Sequence, residues 1–130
     1  MAIRTLLWLT ILSWMSSAAA AEDVSVTPLV SRSASDVPGR ELVMIAVEYA
    51  PGAADPVHKH HAHGLIYVLE GSVVMQVRGG PQVVLTPGQT FYEGPDDVHV
   101  VGRNASNTQK AKFLVFLLKD KGAPILTLAK

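Results

Sequence analysis

From residue 40 onward this sequence is built of short runs rich in β-branched and aromatic residues, each closed by a Gly- or Pro-bearing turn, and that punctuation narrows the fold more than any other feature. The runs are residues 42–49, 65–69, 73–77, 83–85, 90–92, 99–101 and 113–118. Between them stand Pro51-Gly52, Glu70-Gly71, Gly79-Gly80-Pro81, Pro87-Gly88 and Gly94-Pro95-Asp96-Asp97, each offering a residue suited to a tight turn. Branched and aromatic side chains fit a pleated, half-buried surface, and no window beyond residue 21 carries the apolar period of an amphipathic helix. Regularly spaced strands without helices predict an all-β sandwich or small barrel. A double-sheet jelly roll is one such solution, because it limits exposed strand edges.

The ends of the chain read differently. Arg4 is the only charge before Glu22, and it precedes the apolar run Leu6-Leu7-Trp8-Leu9-Thr10-Ile11-Leu12, which gives way to Ser16-Ser17 and four alanines. This is the pattern of a secretory signal peptide over residues 1–21, cleaved before Glu22. The alternative, an uncleaved anchor, needs about 20 apolar residues, more than this run supplies. No cysteine is present, so the bacterial lipoprotein route, disulfides and a thiol nucleophile are all closed. The expected location is periplasmic or extracellular, with no membrane attachment after cleavage. Losing Arg4 leaves ten Lys and Arg against eleven Asp and Glu, scattered along the chain, which gives no charge patch for nucleic acid or an anionic membrane. Residues 22–39, mixed in Ser, Thr and Pro, read as an irregular lead-in, 40–120 as one barrel domain, and 121–130 as a C-terminal tail.

All five histidines, His58, His60, His61, His63 and His99, belong to one constellation. Imidazole is the commonest protein metal ligand, and two rings separated by one residue on an extended strand project from the same face. His58 and His60 therefore share a face, while His61 has the opposite parity and is expected to point outward.

The segment Pro51 to Gly71, PGAADPVHKHHAHGLIYVLEG, resembles the first cupin motif, and Gly88 to Asn104, GQTFYEGPDDVHVVGRN, resembles the second. The resemblance implies a double-stranded β-helix, a jelly-roll barrel holding one site, and a tendency to form homodimers. It assigns His58, His60 and His99 as ligands of a divalent ion, with Fe, Mn, Ni and Zn as candidates. The family's usual glutamate falls on Gly64, so the site reads as three histidines without that carboxylate, similar to the all-histidine cupin dioxygenases. Restoring it by Gly64→Glu is expected to tighten metal binding. Gly94 and Asp96 replace the usual proline and turn glycine, and Asn104 lies one place beyond the usual asparagine, which falls on Arg103.

His63, next to Gly64, could supply a fourth nitrogen or face solvent. Glu93 could compensate as a ligand or serve as a general base; otherwise it is a surface turn residue. Asp96 or Asp97 could orient His99 by accepting its second ring N–H, or cap a solvated turn. The three histidines could also be hydrogen-bonded core residues with no ion, although each unpaired ring costs about 1–3 kcal/mol. Two functional classes remain: a metal-dependent enzyme using oxygen or water on a small molecule, and a non-catalytic metal- or small-molecule-binding domain.

Overall fold

The computed structural model describes residues 23–130, so the expected signal peptide lies outside the described residues. Ten strands and no helix are found among them: β1 (Val24–Ser33), β2 (Arg40–Tyr49), β3 (His58–Lys59), β4 (Ala62–Glu70), β5 (Val73–Val77), β6 (Val83–Leu85), β7 (Thr90–Glu93), β8 (His99–Asn104), β9 (Ala111–Asp120) and β10 (Thr127–Leu128). They form two five-stranded sheets, in the orders β1-β2-β9-β4-β7 and β10-β3-β8-β5-β6, with antiparallel pairing throughout. The all-β fold expected from the turn spacing, and the double-stranded β-helix implied by the family resemblance, are what the chain adopts.

Period-two burial explains why the sheets face each other. In β2 the residues Val43, Ile45, Val47 and Tyr49 are buried, and in β9 Ala111, Phe113, Val115 and Leu117. Ile66 and Val68 of β4 close the same layer, and Val73 and Met75 of β5 meet it from the second sheet. Tyr49 and Phe113 pack edge to face, ring centres 5.1 Å apart, a favourable arrangement for aromatic quadrupoles. The β4–β5 hairpin depends on Gly71. Its φ is +70°, and a Cβ there would come within 2.4 Å of the Lys110 carbonyl oxygen.

Two boundaries need correction. Residues 22–39 are not an irregular lead-in, because Val24–Ser33 is a ten-residue strand paired along β2. That strand is exposed along nearly its whole length and so shows no in–out alternation, its register shifts between Pro28 and Val30, and proline is tolerated because β1 is an edge strand. Nor is 121–130 a free tail. Thr127 and Leu128 pair with Lys59 and His58, so the C-terminus returns to the histidine strand.

Candidate metal centre

Each histidine is placed by its strand. His58 of β3 lies directly opposite His99 of β8, so their rings share the inner face of the second sheet. His60 follows β3, and the chain then turns at His61, whose φ of +50° redirects it into β4. Glu93, the last residue of β7, reaches in from the first sheet, where it pairs with Gly64 of β4. The four side chains His58, His60, Glu93 and His99 bring one donor atom each to within 4.8 Å of one another.

Hydrogen bonding fixes which nitrogens face inward. His58 Nδ1–H donates to the Pro56 carbonyl at 2.8 Å, and His60 Nδ1–H donates to the Ile125 carbonyl at 2.6 Å. A carbonyl only accepts, so in both neutral rings the Nε2 atoms carry lone pairs. Those two atoms face each other at 3.2 Å. Glu93 Oε2 stands 3.4 Å from His60 Nε2, and Glu93 Oε1 stands 3.1 Å from His99 Nδ1 without making a hydrogen bond. His99 Nδ1 is also 3.4 Å from His58 Nε2. Electron-rich atoms thus converge in a buried space with too few protons to satisfy them, an arrangement a cation would relieve. The spacings match the edges of a polyhedron whose metal–ligand bonds are about 2.1 Å. Three imidazoles and a carboxylate are a donor set that could hold a divalent ion.

Burial governs the ionisation of the group. It pushes the Glu93 carboxyl up to about 7, with the negative charges of Asp97 and Asp55 adding to the effect. It pushes His99 down to about 4, reinforced by His58 and His60. His60 is also lowered, by burial first, against the opposing pull of the Ile125 carbonyl. In the absence of an ion each group is driven toward its neutral form, which is the reverse of what a bound cation favours at a carboxylate.

Across the ladder from Gly64, Glu93 brings a carboxylate into the cluster. Glu93 is only 3% exposed, so the surface-turn reading of it does not hold. The donor set is accordingly not all-histidine. His63 stands outside the cluster: exposed, it bonds through Nδ1 to Tyr92 Oη at 2.8 Å. His61 also faces away, bonded to Thr127 Oγ1. Asp97 caps its own turn, accepting the Gly94 N–H at 2.6 Å, so that carboxylate atom is engaged there and not with His99. Asn104 is a buried staple. Its side-chain amide donates to the carbonyls of Ala50 and Gln109, and its oxygen accepts the Ser106 N–H.

Beside the four donors lies a cavity of about 60 Å³. Its walls include Ile45, Val47, Ile66, Met75, Phe113 and Val115, with Val26 of β1 and Leu126 before β10 lining it as well. Asp55, not anticipated from the sequence, also lines it. Its carboxylate accepts the Tyr49 hydroxyl. Burial raises the Asp55 carboxyl, opposed by that hydroxyl and by His58.

The comparisons with known proteins agree with this architecture. No curated protein matches the sequence. Among solved structures, an uncharacterised conserved protein with a double-stranded β-helix domain from Klebsiella pneumoniae is similar with a TM-score of 0.67 at 16% identity, over 87% of this chain and 90% of that one. A recombinant oxalate oxidase in complex with glycolate gives 0.64 at 22%, over 84% and 57%. The DMSP lyase DddQ from Ruegeria pomeroyi gives 0.60 at 23%, over 68% and 43%, so this chain spans less than half of that enzyme. At these identities the likeness is one of fold. Residues 45–117, more than half of the sequence, match the family described as Cupin domain, and the chain belongs to that family.

Proposed function

We propose that this protein is an exported, metal-dependent cupin that holds a divalent ion, with Fe, Mn, Ni and Zn as candidates, through His58, His60, His99 and Glu93. The observation that carries this reading is the meeting of the His58 and His60 Nε2 lone pairs at 3.2 Å, with the Glu93 carboxylate 3.4 Å from His60 and 3.1 Å from His99, among buried side chains. Such an ion supplies Lewis acidity or redox chemistry to an oxygen-bearing molecule bound beside it. The chain's own contribution is orientation: the Pro56 and Ile125 carbonyls fix two ring tautomers, and the apolar walls keep bulk water from the donors.

The cavity volume, room for about four waters, supports a small-molecule partner, as does the fold shared with an oxalate oxidase and a DMSP lyase. The pattern before Glu22 supports export to the periplasm or beyond. A row of exposed apolar side chains on the outside of the first sheet, Leu65, Tyr67 and Tyr92 among them, supports a homodimer.

The test is elemental analysis of protein purified without added metal or chelator, set beside His58→Ala and Glu93→Gln. Near-stoichiometric metal in wild type and its loss in both variants is expected. Equal metal content in all three would overturn the assignment. Turnover assays on the metal-loaded protein with small oxygenated substrates then separate an enzyme from a binding domain.

A further inference from the structure

The cavity next to the metal centre has an unusual charge pattern. Apart from the four donors, Asp55 is its only ionisable lining residue, and among the described residues no Lys or Arg lines it. Asp55 is also held in place from several directions. Its backbone N–H donates to the Gly102 carbonyl at 2.8 Å, and its side chain accepts the hydroxyl of Tyr49, a residue with no exposed surface. Gly102 leaves the room for this: a Cβ there would stand 3.2 Å from Asp55 Oδ2 and 2.9 Å from His99 Cε1. The wall facing the centre therefore combines aliphatic surface with one fixed carboxylate.

Taking the metal centre proposed above as given, we propose that the cavity selects a small uncharged molecule, with one or two adjacent oxygens toward the ion and an apolar body against the aliphatic wall. Asp55 is the residue that excludes anions. A dianion such as oxalate can bring both carboxylates to the ion, but together with Glu93 it would more than cancel the ion's double charge, leaving excess negative charge beside Asp55 among apolar side chains with no cation in the lining to meet it. An uncharged ligand of about six non-hydrogen atoms, the size that room for about four waters allows, meets neither penalty.

The test is calorimetric titration of zinc-loaded protein with acetoin and with oxalate, two probes of equal heavy-atom count, in wild type and Asp55→Asn. Asparagine keeps the shape and an oxygen to accept the Tyr49 hydroxyl while removing the charge. Acetoin is expected to bind both proteins within about threefold, whereas oxalate should gain at least about tenfold in the variant, as expected for removal of a nearby like charge in a poorly solvated site. Equal oxalate affinity in the two proteins, or no acetoin binding to metal-loaded wild type, would overturn the proposal. If Asp55→Asn does not fold, Asp55→Ser, which retains a hydroxyl oxygen for Tyr49, is read against the same expectations. Metal content is measured on every sample. A wild type that takes up no zinc overturns the metal assignment instead, and the oxalate comparison is then made on the metal-free proteins, where the same tenfold difference supports selection by Asp55 and equal affinities refute it.

Discussion

At the scale of single residues, Gly64 and Glu93 decide the charge of the centre together, because they lie opposite each other on β4 and β7. A Cβ at Gly64 would meet Leu117 Cδ2 at 3.4 Å and Glu93 Cβ at 3.7 Å, so a small side chain fits there, but a second carboxylate would share the space of the first. Gly64→Glu alone is thus expected not to tighten metal binding, contrary to the expectation from the family pattern, and to lower the melting temperature. Glu93→Ala should weaken binding by more than the roughly ten- to hundredfold typical of losing an outer-shell partner. The double variant Gly64→Glu with Glu93→Ala should recover to within about tenfold of wild type, since it restores one carboxylate to the same cavity. Metal titration of the three proteins checks this, and a double variant no better than Glu93→Ala would refute it. His61→Ala and His63→Ala, whose rings face outward, should stay within about threefold of wild type. His58 and His60 were legible because ring parity on an extended strand needs only sequence, and His99 because the second motif of the family resemblance falls on it. Glu93 was legible only as one alternative beside a surface-turn residue, because its partner is set by cross-strand register, which spacing along the chain does not reveal. One usable signal was Phe91, an apolar residue of the same parity two places earlier, which packs toward the core.

At the scale of elements, the ends of the chain do more for the site than their composition suggests. The segment before β10 supplies the Ile125 carbonyl that orients His60, and Ile125 and Leu126 also line the cavity. Deleting residues 125–130 should therefore cost about 10- to 100-fold in metal affinity while the far-ultraviolet spectrum stays that of a β protein. Unchanged affinity would mean that the carbonyl is dispensable. The chain is led back to this position from the end of β9, where buried Lys119 donates to Glu41 and to the Asp120 and Ala123 carbonyls. Lys119 and the Gly122 N–H together hold the Glu41 carboxyl below its ordinary value of 4.5. A depressed carboxylate contributes stability above its unfolded value and loses it as pH falls through the folded one. The stability difference between wild type and Glu41→Gln should accordingly be constant above about pH 5.5 and shrink on acidification below about 4.5, as followed by urea unfolding at each pH. A difference that does not change with pH would show that the ion pair makes no pH-dependent contribution. Neither terminal element was legible. β1 is exposed along almost its whole length, so it lacks the in–out alternation that marks a strand, and β10 is only two residues long.

At the scale of the whole molecule, the barrel itself was legible because its turns announce themselves and its three central strands, β2, β9 and β4, bury every second residue. The outer face of those strands was harder to assign, since β4 is apolar in both parities: Ile66 and Val68 are buried while Leu65, Tyr67 and Leu69 are exposed. Register lines these up into cross-strand rows, Met44–Phe116–Leu65–Tyr92 and Ala46–Leu114–Tyr67–Thr90. Four strands about 4.8 Å apart carrying two rows about 7 Å apart make a patch of roughly 270 Å², close to the lower end of the largest apolar patches on single chains, which are often functional. Two copies meeting over that patch bury less than the roughly 800 Å² per partner of a standard stable interface. The homodimer proposed above is therefore expected to be reversible, with the monomer appearing on dilution in sedimentation velocity. Leu65→Lys places a charge in the middle of the patch, where a second copy would have to desolvate it, and should shift the equilibrium to monomer by at least about tenfold. Because Leu65 points away from the barrel interior, the same variant should retain its metal content. A wild type that sediments as monomer at every concentration, or a Leu65→Lys variant that dimerises as wild type does, would remove this face from the assembly.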